Sequence, residues 1–113
     1  MTAGFDVPAA IALYVLVRPE QDPAERLAVA HDAAARHGYT VVEVLVEDAW
    51  QTHPGLRPRL ARAHALLRQE LVHGLVAASR VDISCDDTLY ESQLQRLHSA
   101  GGFLHLAHDE TRF

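Results

Sequence analysis

Four short apolar runs alternate along the chain with three segments of helical periodicity, and this order restricts the fold more than any other feature. Ile11–Val17 is continuous, apolar and partly β-branched, as a strand buried on both faces requires. The stretch DPAERLAVAHDAAARHG then carries Leu27, Ala30, Ala34 and His37 at helical spacing. Asp22 is its expected N-cap, Pro23 fits the first helical position, Glu25 completes a capping box and Gly38 is the stop. Tyr39–Asp48 is a second strand, followed by a loop that turns at Pro54-Gly55. Leu56, Leu60, Ala63, Leu67 and Leu71 mark one face of a second helix, expected to end at Gly74. Leu75–Ser79 reads as a third strand. A third helix presents Tyr90, Leu94 and Leu97 and closes on Gly101-Gly102, and Phe103–Ala107 is the last strand. Strands that alternate with helices pair in parallel through right-handed crossovers. The expected fold is therefore α/β, in βαβαβαβ order, with a mainly parallel four-stranded sheet in three layers and helices on both faces.

The 113 residues suit one domain, and 49% apolar content is enough for a core without staples. Residues 1–9 read as a flexible lead-in, 10–108 as the domain and 109–113 as a polar tail. A lone cysteine, Cys85, cannot form an internal disulfide, and the simplest setting is reducing and cytoplasmic. No apolar run reaches the length of a membrane span, and the N-terminus lacks the basic region of a secretory signal. The net charge is −5, and all ten basic residues are arginine. Nucleic-acid binding draws on phosphate neutralisation, so an acidic chain is expected to bind DNA weakly, through a local basic patch if at all.

In such sheets ligands bind beyond the carboxyl ends of the strands. The loops there are Arg18–Asp22, Asp48–Leu56 and Arg80–Asp87. None is a glycine-rich phosphate cradle, no C-x-x-C is present, and no G-x-S-x-G elbow surrounds a serine. Eight histidines are scattered without zinc spacing. His105 and His108 lie on a strand and its exit, and His31 and His37 face different ways, so no metal and no cofactor is expected. Trp50, in the second loop, is expected to cover the open end of the sheet.

Four stretches taken together, LYVLVRPEQD, GYTVVEVLVEDAWQTHPGLRPRLARAHALLR, LVAASRVDISCDD and LQRLHSAGGFLHL, resemble the catalytic domain of serine recombinases from about Ile11 to Ala107. That family's first strand reads tyrosine-x-arginine-x-serine. Its serine attacks a DNA phosphate, and arginines hold the developing charge. The resemblance places Tyr14 on the tyrosine, Leu16 on the arginine and Arg18 on the nucleophile. Asp48 matches an aspartate after the second strand, and Arg57 an arginine before the second helix; Gln51-Thr52 stand at a serine-glycine pair. The family's third loop reads leucine, aspartate, arginine, leucine, serine, arginine, aspartate. With Ile83, Ser84 and Asp86 in register, Val81 takes the place of the aspartate, while Asp82 and Cys85 take the places of the two arginines.

The resemblance thus implies a degenerate cleft of Tyr14, Leu16, Arg18, Asp48, Arg57, Asp82 and Cys85, with no catalytic residue. Arginine stays protonated and is no nucleophile. Asp82 is expected to set a negative charge where a phosphate needs a positive one. The family's long dimerisation helix and DNA-binding domain are expected to be missing after Phe113. The expected function is a non-catalytic interaction, oligomerisation or regulatory module, associating with itself or with a protein partner. One alternative is weak DNA binding through Arg18, Arg57, Arg59 and Arg62, without strand exchange. Another is a small anion, or a new enzymatic activity, at the old cleft, where Cys85 stands near a helix start; an inert, partly buried thiol is the simpler reading of that residue.

Overall fold

A computed structural model describes residues 9–48 and 53–108. Strand β1 runs Ala10–Val17, β2 Thr40–Asp48, β3 Gly74–Ala77 and β4 Phe103–Leu106. Helix α1 spans Ala24–Arg36, α2 Pro58–Arg68 and α3 Asp87–Ser99, with short 3-10 turns at Pro54–Leu56 and Arg80–Asp82. The sheet order is β2-β1-β3-β4, and every pairing is parallel. The expected α/β architecture is the one found.

Alternation along β1 builds two cores. Ile11, Leu13, Val15 and Val17 pack with Ala30, Ala33 and Ala34 of α1. Ala12 and Tyr14 point the other way, into the layer formed by Leu60, Ala63, Leu66 and Leu67 of α2 and Tyr90 and Leu97 of α3. This two-sided burial is why β1 is apolar without interruption.

All three helices end in the same way. In α1, Gly38 N–H bonds Ala35 O and Tyr39 N–H bonds Ala34 O; in α3, Gly101 and Gly102 bond His98 O and Leu97 O. Gly38 and Gly101 hold the left-handed conformation this motif requires. Helix α2 ends at Arg68, six residues before the expected stop at Gly74, because Glu70 takes that conformation at φ 60°. Its N–H bonds Leu67 O, and Leu71 N–H bonds Leu66 O. Leu71 therefore falls outside the helix and is exposed, Leu56 is exposed in the 3-10 turn before it, and Gly74 starts β3 with the Phe103 ring against its Cα. A side chain in the left-handed region is strained where glycine is not. Glu70→Gly is expected to raise stability by about 0.5 kcal/mol, read as a higher urea midpoint.

At α1 the cap differs from expectation. Pro23 is the N-cap, the Asp22 carboxylate accepts from Ala24 N–H, and no Glu25 box forms. The capping box is found instead at Ser79 and Asp82.

One histidine is not on the surface. His64 of α2 is buried, its Nε2 lies 2.7 Å from Gln93 Oε1 of α3, and its Nδ1 has no partner. Burial, with Arg96 and Arg68 nearby, holds its pKa below the usual histidine value despite the Gln93 bond. His64 thus takes a proton less readily folded than unfolded. Stability is full above about pH 6.5 and falls as the pH drops through that value. The urea midpoint is expected to be lower at pH 5.5 than at pH 7.5, and His64→Gln is expected to shrink that difference. His105, also lowered by burial, acts in the same sense.

Candidate functional site

At the carboxyl end of the sheet lies an open cleft of about 1110 Å³. Leu16, Val17, Arg18, Glu20 and Gln21 line it from the end of β1 and the loop beyond, Arg26 from α1, and His53 and Arg57 from the segment before α2. Val81, Ser84, Cys85, Asp86 and Leu89 close it from the β3–α3 side. These are the three loops that the strand order singles out.

Beneath the cleft, Asp82 is fully buried and saturated. Its Oδ1 accepts from Leu16 N–H at 2.9 Å and Arg26 Nε at 3.1 Å. Oδ2 accepts from Ala78 N–H at 2.9 Å and Ser79 N–H at 3.0 Å, and lies 2.9 Å from Arg26 Nη2. One carboxylate thus joins β1, the exit of β3 and α1. Above it, Arg57 is buried and donates from Nη1 to the carbonyls of Asp82 and Ile83, both at 2.8 Å.

A second buried carboxylate, Glu47, holds α2. Oε1 accepts from Tyr14 Oη at 3.0 Å and Leu60 N–H at 2.9 Å, while Oε2 accepts from Arg59 N–H at 3.2 Å. Two otherwise unpaired amides at the helix start are thereby satisfied by a residue of β2. Burial first, and then Glu47, push the Tyr14 phenol well above its ordinary pKa, against the lowering influence of Arg57. The hydroxyl holds its proton more tightly than an ordinary phenol.

The expected site residues fall into three groups. Leu16, Arg18, Arg57 and Cys85 meet at the cleft. Cys85 is exposed there, not partly buried. Arg18 is exposed at the mouth, and its guanidinium has no ion-pair partner among the described residues.

Tyr14 and Asp82 lie below the cleft instead of on its wall. Tyr14 was expected at its edge, but it sits mid-strand on the face packed against α2 and α3. Asp82 was expected to repel a phosphate; its charge is turned away, onto Arg26 and backbone amides.

Asp48, Arg59 and Arg62 are outside the cleft lining. Arg62 forms a two-pronged pair with Glu43, 3.1 Å on each arm, and Arg59 is exposed beside it. Trp50, Gln51 and Thr52 lie outside the described residues. Among the described residues no three histidine, cysteine or acidic side chains gather as a metal set, and the ring of His105 faces that of His37.

Arg26, His53 and Glu47 were missed as contributors. Glu47 left a signal. It shares a strand face with Glu43 and Leu45, and an acid on an inward-facing position of a buried strand needs donors. Arg26 and His53 left none, since only the fold brings them to the cleft.

Similarity to solved structures decides the fold. The chain matches the C-terminal catalytic domain of ISC1926 TnpA, an IS607-like serine recombinase, with TM-score 0.75 and 16% identity over 90% of this chain and 72% of that one. The N-terminal catalytic domain of TP901-1 integrase matches with TM-score 0.77 and 11% identity over 87% of this chain and 76% of that one. The chain has the fold of a serine recombinase catalytic domain. The first open reading frame of transposon ISC1904 from Sulfolobus solfataricus P2 also matches this recombinase-fold chain, with TM-score 0.69 and 8% identity over 93% of this chain and 71% of that one. No family model and no curated protein matches the sequence. Within the recombinase fold, the cleft at the carboxyl end of β1 is where the motif resemblance places Arg18, while Asp82 and Glu47 act as its framework. Among the described residues no helix is long and apolar enough to cross a membrane.

Proposed function

We propose that this recombinase-fold chain is a non-catalytic module that works by association, with a second copy of itself or with another protein. The observation that carries the reading is Arg18. It stands where the resemblance puts the nucleophilic serine, exposed at the mouth of the cleft. A guanidinium stays protonated and cannot attack a phosphate. Asp82 and the Tyr14–Glu47 pair are engaged in holding strands and helices together, which fits a scaffold better than an acid–base centre.

Light scattering on the purified chain tests the association. The expected result is a mass above that of the monomer, or capture of a specific partner; a strict monomer with no partner overturns the reading. A gel shift across a salt titration separates it from DNA binding. No shift at low salt is expected, because Arg26, Arg62 and Arg80 are each paired with an acid and the whole chain is acidic. Binding that weakens log-linearly with salt would establish the DNA reading instead.

A second reading has one observation of its own. Arg18 and Arg57 face one cleft with apolar walls from Leu16, Val81 and Leu89, a setting for a small anion with an apolar part. A thermal shift in a panel of phosphates, carboxylates and nucleotides, abolished by Arg18→Ala, is the result this reading requires.

A further inference from the structure

From the exposed side of β2 we infer that the chain forms a symmetric dimer, in which β2 pairs antiparallel with β2 of a second copy to make one continuous sheet. This inference rests on the association reading and names its surface. Strand β2 is an edge of the sheet and runs for nine residues, against four for β4 at the other edge. An edge that long presents a row of unpaired backbone groups, a template for another strand. Two of the few large exposed apolar side chains lie on it: Val42 is 49% exposed and Val44 48%. Val46 packs against the α1 core and Leu45 against the other, so alternation puts Val44 on the α1 side.

The occupant follows from symmetry and charge. A two-fold axis normal to the sheet keeps the two α1 layers on one side, so facing residues must share a face. That limits the axis to a residue position. Centred on Glu43, Glu43 meets its own copy; centred on Leu45, Glu43 meets Glu47; centred on Val46, Val44 meets Asp48. Centring on Val44, the midpoint of the nine residues, opposes the greatest length of β2 with no acid facing an acid, setting Val44 on Val44 and Glu43 against Leu45; the bulge of β2 against β1 lies at Val42, beyond these pairs. Like charges directly opposite are destabilising and β-branched pairs are favourable, so this register is the one selected. In this register Glu43 keeps its pair with Arg62, Glu47 keeps its place under α2, and Asp48 lies opposite Thr40. Joining β2 to β4 of another copy would continue without closing and give a fibre, whereas two β2 strands close on themselves.

Light scattering of wild type, Val44→Glu and Leu71→Glu, with circular dichroism to confirm folding, tests this surface. Leu71 is equally exposed but lies outside the sheet. The expected result is a dimer for wild type and Leu71→Glu and a monomer for Val44→Glu. Val44→Cys in a Cys85→Ser background, which preserves the edge, is expected to form a covalent dimer on mild oxidation, because the two copies of position 44 meet on the axis. A dimer that survives Val44→Glu, or that does not cross-link through position 44, overturns the proposed surface and leaves association through another surface standing. A monomeric wild type overturns the surface and self-association together.

Discussion

Asp82→Ala is expected to lower stability by about 4 kcal/mol. Removing one partner of a buried ion pair costs about 3–5 kcal/mol, because the charges and donors left behind have lost their solvent as well as their partner. Here the loss strands the Leu16, Ala78 and Ser79 amides and the Arg26 guanidinium together. Domains of this size have about 5–15 kcal/mol in all, so the variant should remain folded only marginally at 37 °C. Thermal unfolding followed by circular dichroism should show a fall of about 15 °C in Tm. Asp82→Asn keeps the shape and one acceptor and should fall less. A change within about 1 kcal/mol for the alanine variant would show that the three amides find other partners, and that Asp82 is not the tie between β1 and the β3 exit.

Glu47→Ala should lower stability by about 3 kcal/mol. It removes the acceptor for two amides at the start of α2 and leaves the buried Tyr14 hydroxyl with one partner fewer. Tyr14→Phe takes away only the hydroxyl, and Glu47 still has both amides, so about 1 kcal/mol is expected there. In urea titrations the double variant should lose less than the sum of the two, since each single change disturbs the same bond. Strict additivity would mean that the 3.0 Å contact carries no energy of its own.

How legible this was depended on range. The strand–helix order was readable because each element announces itself locally. β1 is apolar on both faces because both faces are covered, and Gly38 and Gly101 mark helix ends because the left-handed turn favours them. The α2 terminus was misread for the same reason: Glu70 adopts that turn without the residue type that signals it. The cleft was legible as three loops and illegible as a charge pattern. The resemblance placed Arg57 in the cleft, but only the fold shows it turned onto the carbonyls of Asp82 and Ile83. Asp82 looked like a charge facing a ligand; its bonds to the Ala78 and Ser79 amides are local, but its partners Arg26 and Leu16 lie 56 and 66 residues away, a distance no local pattern encodes.

The central proposal, that this recombinase-fold chain does not carry out recombinase chemistry, is tested most directly by looking for the covalent intermediate that such chemistry requires. Wild-type protein is incubated with supercoiled and linear duplex DNA, quenched in detergent, and read by intact mass and by gel for protein joined to a DNA end. The account predicts no joined species and no nicked plasmid under any salt condition. A phosphodiester link to a serine, with Ser84 of the cleft wall the first position to map, would contradict it.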